Sequence, residues 1–298
     1  MAKLQANGLQ IEYDSLGEAT GNPVLLIMGL GTQMTAWSTD FCQALAAYGH
    51  YVIRFDNRDI GLSTKFEGVK APSRARYVMH HLFRVPLRPP YSLGDMAADA
   101  VGVLDALGIE SAHVVGASMG GMIAQVMTVN RPQRVRTLTS IMSSSGAPGL
   151  PKARPDIVKH VFADRPNTGD ADAMLRHLTR SAQLLGSPGY PRSEEEFREL
   201  ITAAVQRSFY PMGFVRQMAA IVADGSRVRR LQTIDTPTLV IHGSDDPLVP
   251  VGHGIDTAKH ITGARLEIIE GMGHDLPPQL IDRLSSLIAD HAGNQLPA

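Results

Sequence analysis

The chain has 298 residues, 44% hydrophobic and 19% charged, which excludes a disordered protein and fits one large core with an inserted subdomain. Its formal net charge of −1 gives no global field for nucleic acid or an anionic membrane, and its one cysteine, Cys42, excludes an intrachain disulfide. No run reaches the roughly 18 apolar residues of a membrane span, and residues 1–14 show no apolar stretch behind a basic start, so the expectation is a cytoplasmic protein without a signal peptide.

In chain order, a short apolar run predicts a strand over 24–28, a helix follows over 41–47, and a second strand covers 50–55. Residues 64–91 are long for a connection in a compact domain. A short helix over 77–83 fits there, flanked by Arg74, Arg76, Arg84 and Arg88. We read the segment as a solvated loop and helix packed beside the helical cap expected over 143–227; Met79, Leu82, Phe83 and Val85 make contact with a membrane or partner the alternative. Helix 93–107 starts at Ser92 as N-cap and stops at Gly108. Strand 113–115 and helix 119–130, ended by Pro132, come next. From about 143 to 227 no strand is evident. Helices are predicted over 172–185, 193–209 and 213–224, interrupted by Pro148, Pro151, Pro155, Pro166, Gly186, Pro188 and Gly189. Strands resume over 238–242 and 264–269.

Alternating strands and helices imply an α/β fold, a mostly parallel sheet with helices on both faces. The strand-free middle implies an inserted helical cap. The expected division is a core of 1–142 and 228–298 and a cap of 143–227.

Gly116, Ala117, Ser118, Met119 and Gly120 read as strand, sharp turn, helix, the pattern of a nucleophile elbow. Bulky residues at Gly116 or Gly120 would collide with the adjoining strand and helix. The turn lifts the Ser118 hydroxyl above the sheet and sets the Met119 N–H at a helix start, where it can bind an oxyanion. A hydroxyl needs a base. His274 lies on the glycine-bearing loop after the 264–269 strand, where the order serine, acid, histidine demands it. His113 and His242 lie within strands and are read as packed, while His253 and His260 follow Pro250 on a segment read as exposed. The acid comes from the loop after strand 238–242, which offers Asp245 and Asp246. A second oxyanion donor is expected from the loop holding Gly29 and Gly31, with the Leu30 N–H chosen. Asp56 and Arg58 are read as an ion pair bracing the loops around the site, and Cys42 as core packing. No metal-ligand spacing, dinucleotide glycine pattern or Walker pattern is present, so no cofactor or metal is expected.

Five pieces in this order carry a resemblance: residues 28–31, 56–63, the Ser118 elbow, 243–250 and 271–274. From about Leu4 to Ala289 the chain resembles the α/β-hydrolase superfamily. Within it the chain is similar to the aclacinomycin methylesterase-type branch and to short-chain carboxylesterases. Met28-Gly29 stands where His-Gly is common, and Arg58-Asp59 where Arg-Gly is usual; both fit that branch. The spacing of glycine, two residues, acid in the family selects Asp246, leaving Asp245 a solvated or loop-capping residue. The resemblance implies a cap over the site, no cofactor and ester hydrolysis. The expected partner is a small-molecule ester, with no nucleic acid and no stable membrane insertion, and nothing indicates a homo-oligomer. A serine elbow speaks against aspartate-dependent dehalogenases and epoxide hydrolases. Carbon–carbon bond hydrolases, lactonases, acyltransferases and perhydrolases remain alternatives, and a non-catalytic binder is a rival of another class.

Overall fold

The computed structural model describes residues 1–83, 85–163 and 170–293, so Arg84, Pro166 and the Arg74 side chain lie outside what is described. Among the described residues the sheet has eight strands: β1 (Ala2–Ala6), β2 (Leu9–Leu16), β3 (Asn22–Ile27), β4 (His50–Phe55), β5 (Ala112–Ala117), β6 (Val135–Ile141), β7 (Thr238–Gly243) and β8 (Arg265–Ile269). Their order is β1-β2-β4-β3-β5-β6-β7-β8. β2 runs antiparallel to both its neighbours, β1 and β4, and the strands from β4 to β8 in this order are mutually parallel. The parallel strands therefore all present their C-terminal ends along one edge of the sheet, where open α/β folds place their sites.

The helices are α1 (Thr39–Ala47), α2 (Arg74–Phe83), α3 (Leu93–Ala106), α4 (Met119–Asn130), α5 (Pro155–Val158), α6 (Ala171–Leu185), α7 (Glu194–Arg207), α8 (Pro211–Asp224), α9 (Val228–Leu231), α10 (Gly252–Lys259) and α11 (Ile281–His291). Successive strand residues point to opposite faces. Leu25 and Ile27 of β3 pack with Met96 and Val103 of α3 and Ile123 and Met127 of α4. Val24 and Leu26 pack on the other face with Phe41 and Leu45 of α1 and Leu284 and Ile288 of α11. Cys42 is buried in that second layer, as its sequence context suggested. α3 begins with a reciprocal cap, in which Ser92 accepts from the Asp95 N–H and the Asp95 carboxylate accepts from the Ser92 N–H. A cap of this kind is worth about 1 kcal/mol.

Three strands go unpredicted. β1 and β2 form an edge hairpin whose exposed positions are Ala2, Lys3, Gln5 and Gln10, so no apolar run marks it. The available signal was Asn7-Gly8, whose φ values of 49° and 76° fit a tight hairpin turn. β6 reads Val, Arg, Thr, Leu, Thr, Ser, Ile, and its hydroxyl side chains hide a buried strand. Thr137 there is paired with His113 of β5 at 3.0 Å.

Between β6 and β7 the described residues form α5, a single π turn over Lys159–Ala163, and α6 to α9, with no strand. Of these, α5 to α8 fall within 143–227, the segment expected to form the cap. Two of these helices grip the core through ion pairs, α7 through Arg207 on Asp56 and α8 through Arg216 on Asp59. Arg216 of α8 donates to both Asp59 carboxylate oxygens at 2.7 and 2.9 Å. Asp59 stands at φ 72°, the left-handed region that favours glycine. The chain departs from the usual Arg-Gly at this point, and the carboxylate gained there holds the cap.

Candidate active site

Ser118 sits between β5 and α4 at φ 55° and ψ −118°. Its N–H donates to the Ile141 carbonyl at 2.8 Å, so the turn starts from a paired strand end. A Cβ on Gly116 would overlap the Gly120 carbonyl, and one on Gly120 would overlap the Ile27 carbonyl. The two glycines are thus required by contact with backbone. A serine before a helix usually caps it, but Ser118 makes no side-chain cap bond. Its strained φ turns the hydroxyl elsewhere.

It turns to His274. The Ser118 Oγ and His274 Nε2 are 3.0 Å apart, and His274 Nδ1 donates to Asp246 Oδ2 at 2.6 Å. The other oxygen, Oδ1, accepts from the Leu248 N–H at 2.9 Å and the Val249 N–H at 2.7 Å. Burial alone would raise the Asp246 carboxyl. The imidazoles of His274 and His242 and the Val249 N–H outweigh it and hold the group well below the usual carboxylate range. With Asp246 ionised, Nδ1 carries the proton and Nε2 is left as the acceptor for the serine hydroxyl. Asp245 is exposed and accepts from the Ser244 hydroxyl at 2.6 Å.

The loop after β3 passes directly beside the serine. A Cβ on Gly29 would lie 3.2 Å from Ser118 Cβ and 3.7 Å from its Oγ. Asn57 donates to the Met28 carbonyl at 2.8 Å, and the Gly31 N–H is taken by the Gln217 side chain at 2.9 Å. The N–H groups of Leu30 and Met119 enter no hydrogen bond among the described residues. These two unpaired donors belong to the residues that follow Gly29 and Ser118, which lie against each other.

The expected Asp56–Arg58 ion pair is not formed. Arg58 pairs with Asp99 of α3 through two bonds of 2.6 and 2.7 Å, and Asp56 pairs with Arg207 of α7 at 2.8 Å. Asp56 also accepts from the Met34 N–H and the Leu62 N–H, both at 2.8 Å. The reason is direction: the two side chains leave a turning loop on different sides, and each meets a helix. Breaking one such buried pair from one side typically costs about 3–5 kcal/mol. His253 and His260, read as exposed, are half-buried; His253 lies between the Ser144 hydroxyl and the Pro151 carbonyl at 2.7 and 2.8 Å.

Sequence reasoning missed the cap residues that hold the site loops. The Leu185 carbonyl accepts from the His274 N–H at 2.8 Å, and the Ser187 hydroxyl accepts from the Gly273 N–H at 2.8 Å. Gln217 of α8 bonds the Gly31 N–H and donates to the Arg58 carbonyl, each at 2.9 Å. It is fully buried. His242, packed as expected, donates to the Val249 carbonyl at 2.7 Å and lies 3.5 Å from Asp246 Oδ2. No local pattern marks Leu185, Ser187 or Gln217, because their partners are far away along the chain. Among the described residues no cluster of His, Cys, Asp and Glu could hold a metal ion.

Residues 22–278 match the family of the α/β-hydrolase fold. The chain is 30% identical over 296 residues to rhodomycin D methylesterase DauP of Streptomyces sp. (strain C5), covering 93% of each. It is 26% identical over 272 residues to a 2-hydroxymuconate semialdehyde hydrolase of Pseudomonas sp. (strain CF600), covering 91% of this chain and 86% of the relative. Among solved structures it is similar to the meta-cleavage product hydrolase of Pseudomonas fluorescens IP01, with a TM-score of 0.76, 22% identity, and coverage of 98% and 97%. That last likeness speaks for the fold.

Proposed function

The chain belongs to the α/β-hydrolase fold family, and on that premise we propose that it hydrolyses small carboxylic esters, methyl esters among them, through an acyl-enzyme on Ser118. The observation that carries this reading is the continuous Ser118–His274–Asp246 hydrogen-bonded line at a serine with positive φ. The relatives named rhodomycin D methylesterase support the ester class. We take residues 143–227 as the cap that selects the substrate.

His274 Nε2 takes the hydroxyl proton as Ser118 Oγ attacks the ester carbonyl carbon. The carbonyl oxygen becomes an oxyanion held by the Leu30 and Met119 N–H groups. The imidazolium, steadied by the Asp246 carboxylate, gives its proton to the departing alkoxide, which leaves as the alcohol. Water then enters, His274 takes its proton, and hydroxide attacks the acyl carbon. The carboxylic acid departs as the proton returns to Ser118.

The test is a panel on the purified protein: p-nitrophenyl and methyl esters of acids of increasing length, a lactone and a vinylogous diketone. Turnover confined to the diketone would replace this reading with carbon–carbon bond hydrolysis, which the 26% identical semialdehyde hydrolase favours as the second reading.

Gln217→Leu is expected to lower kcat on esters about 10- to 100-fold with a smaller change in KM, less than the about 10²–10³ of a deleted oxyanion donor. Leucine leaves the Gly31 N–H without its partner and the Arg58 carbonyl buried and unpaired, and the loop carrying Leu30 shifts. Gln217→Glu keeps an acceptor for Gly31 and is expected to lose less. Equal kcat in all three proteins would remove Gln217 from the account of the oxyanion loop.

A further inference from the structure

A surface helix normally turns its apolar stripe to the core. α2 does the reverse. Ala75, Val78, Met79, Leu82 and Phe83 stand at i, i+3, i+4, i+7 and i+8, so their side chains share one face. On that face Val78 is 53% exposed, Met79 44%, Leu82 64% and Phe83 67%. Val69 before the helix and Val85 after it are exposed as well. The loop-and-helix expected to pack beside the cap instead offers a continuous apolar surface to water, the kind that marks an interaction site.

Charge says what covers it. Residues 70–92 contain Lys70, Arg74, Arg76, Arg84 and Arg88 and no Asp or Glu, a local charge of +5 in a chain of −1. Lys70, Arg76 and Arg88 are exposed and enter no ion pair among the described residues. A second copy of this face would bring two such clusters together and be repelled. An anionic lipid surface satisfies both features at once: apolar side chains enter below the headgroups, and basic side chains reach the phosphates. The helix has 10 residues, too short to span a bilayer and suited to lying in its interface.

We propose that α2 and its flanks are a docking surface for an anionic lipid bilayer. The helix is tied to the body at both ends. The Val69 carbonyl accepts from Arg216 at 2.9 Å, Leu87 is buried, and the Tyr91 hydroxyl donates to Asp59 at 2.7 Å. Arg216 belongs to α8, the cap helix that also bonds the Gly31 N–H through Gln217. A bilayer docked on α2 is thereby coupled mechanically to the cap rather than to a loose tail.

The test is co-sedimentation of the full chain with vesicles of phosphatidylcholine alone and of phosphatidylcholine mixed with phosphatidylglycerol. Binding is expected only to the mixed vesicles, weakening as salt rises. Leu82→Asp with Phe83→Asp should abolish it. Arg76→Gln and Arg88→Gln should each weaken it about fivefold, the equivalent of about 1 kcal/mol per basic residue at an anionic surface. These side chains are exposed, so thermal melting and hydrolysis of a water-soluble ester should match the parent protein. No binding to mixed vesicles, or equal binding by the double aspartate variant, overturns the proposal. So does a dimer in lipid-free solution that the double variant converts to monomer, since the face would then belong to a second copy.

Discussion

Ser118→Ala is expected to lower turnover of p-nitrophenyl butyrate about 10⁵-fold or more, the scale on which serine hydrolases lose kcat when the nucleophile goes. The same change should abolish covalent labelling by a fluorophosphonate. The size follows from what remains. Without Oγ there is no acyl-enzyme, and His274 can only assist a water that must find the carbonyl unaided. The proposed oxyanion donors, the Leu30 and Met119 N–H groups, stay because they are backbone, and they support a residual rate above that in water. Folding should survive. Alanine keeps the Cβ that the site already accommodates at φ 55°, and Ser118 makes no side-chain cap bond to lose. Turnover within tenfold of the parent, with melting unchanged, would remove Ser118 from the chemistry and with it the acyl-enzyme reading.

How much of this was legible in the sequence differs from residue to residue, for physical reasons. The elbow was legible because its constraint is local: the backbone of Gly120 excludes a side chain at Gly116, four positions away. His274 and the Asp245–Asp246 pair were legible as candidates because parallel strands deliver the loops that follow them to one edge and chain order limits the choices, while the preference for Asp246 came from the family spacing. The bracing of those loops was not legible. Asp56 and Arg58 stand two positions apart with opposite charge, yet they bind Arg207 and Asp99 on two different helices. Gln217 reads as any polar residue of an amphipathic helix until the cap is folded onto the core. β6 was hidden by its own hydroxyls, whose partners, His113 of β5 for Thr137 and Gln125 of α4 for Ser140, come from elsewhere in the chain. Stripe composition announced α2, but the direction of its apolar face belongs to the fold.

Asp246→Asn should cost about 10⁴ in kcat while leaving the protein folded, as the loss of the orienting carboxylate does in other serine hydrolases. The geometry here explains why an isosteric change should be so severe. Oδ1 accepts two backbone N–H groups, from Leu248 and Val249, so the asparagine must place its carbonyl oxygen there. Its NH₂ group then faces His274 Nδ1, where Oδ2 now accepts. Two donors cannot share that contact, so Nδ1 gives up its proton and Nε2 takes it. The nitrogen 3.0 Å from Ser118 Oγ becomes a donor and can no longer accept the hydroxyl proton. Flipping the amide would restore the tautomer only by setting NH₂ against the Leu248 and Val249 N–H groups, which is worse. Asp245→Asn is the control. That side chain is exposed and bonded only to the neighbouring Ser244 hydroxyl, so its activity should stay within about twofold of the parent, as surface changes away from a site usually do. The two aspartates are adjacent in sequence and differ in burial, and kinetics on the two asparagine variants should separate them by about three to four decades. A large loss at position 245 with little at 246 would reverse the assignment of the acid.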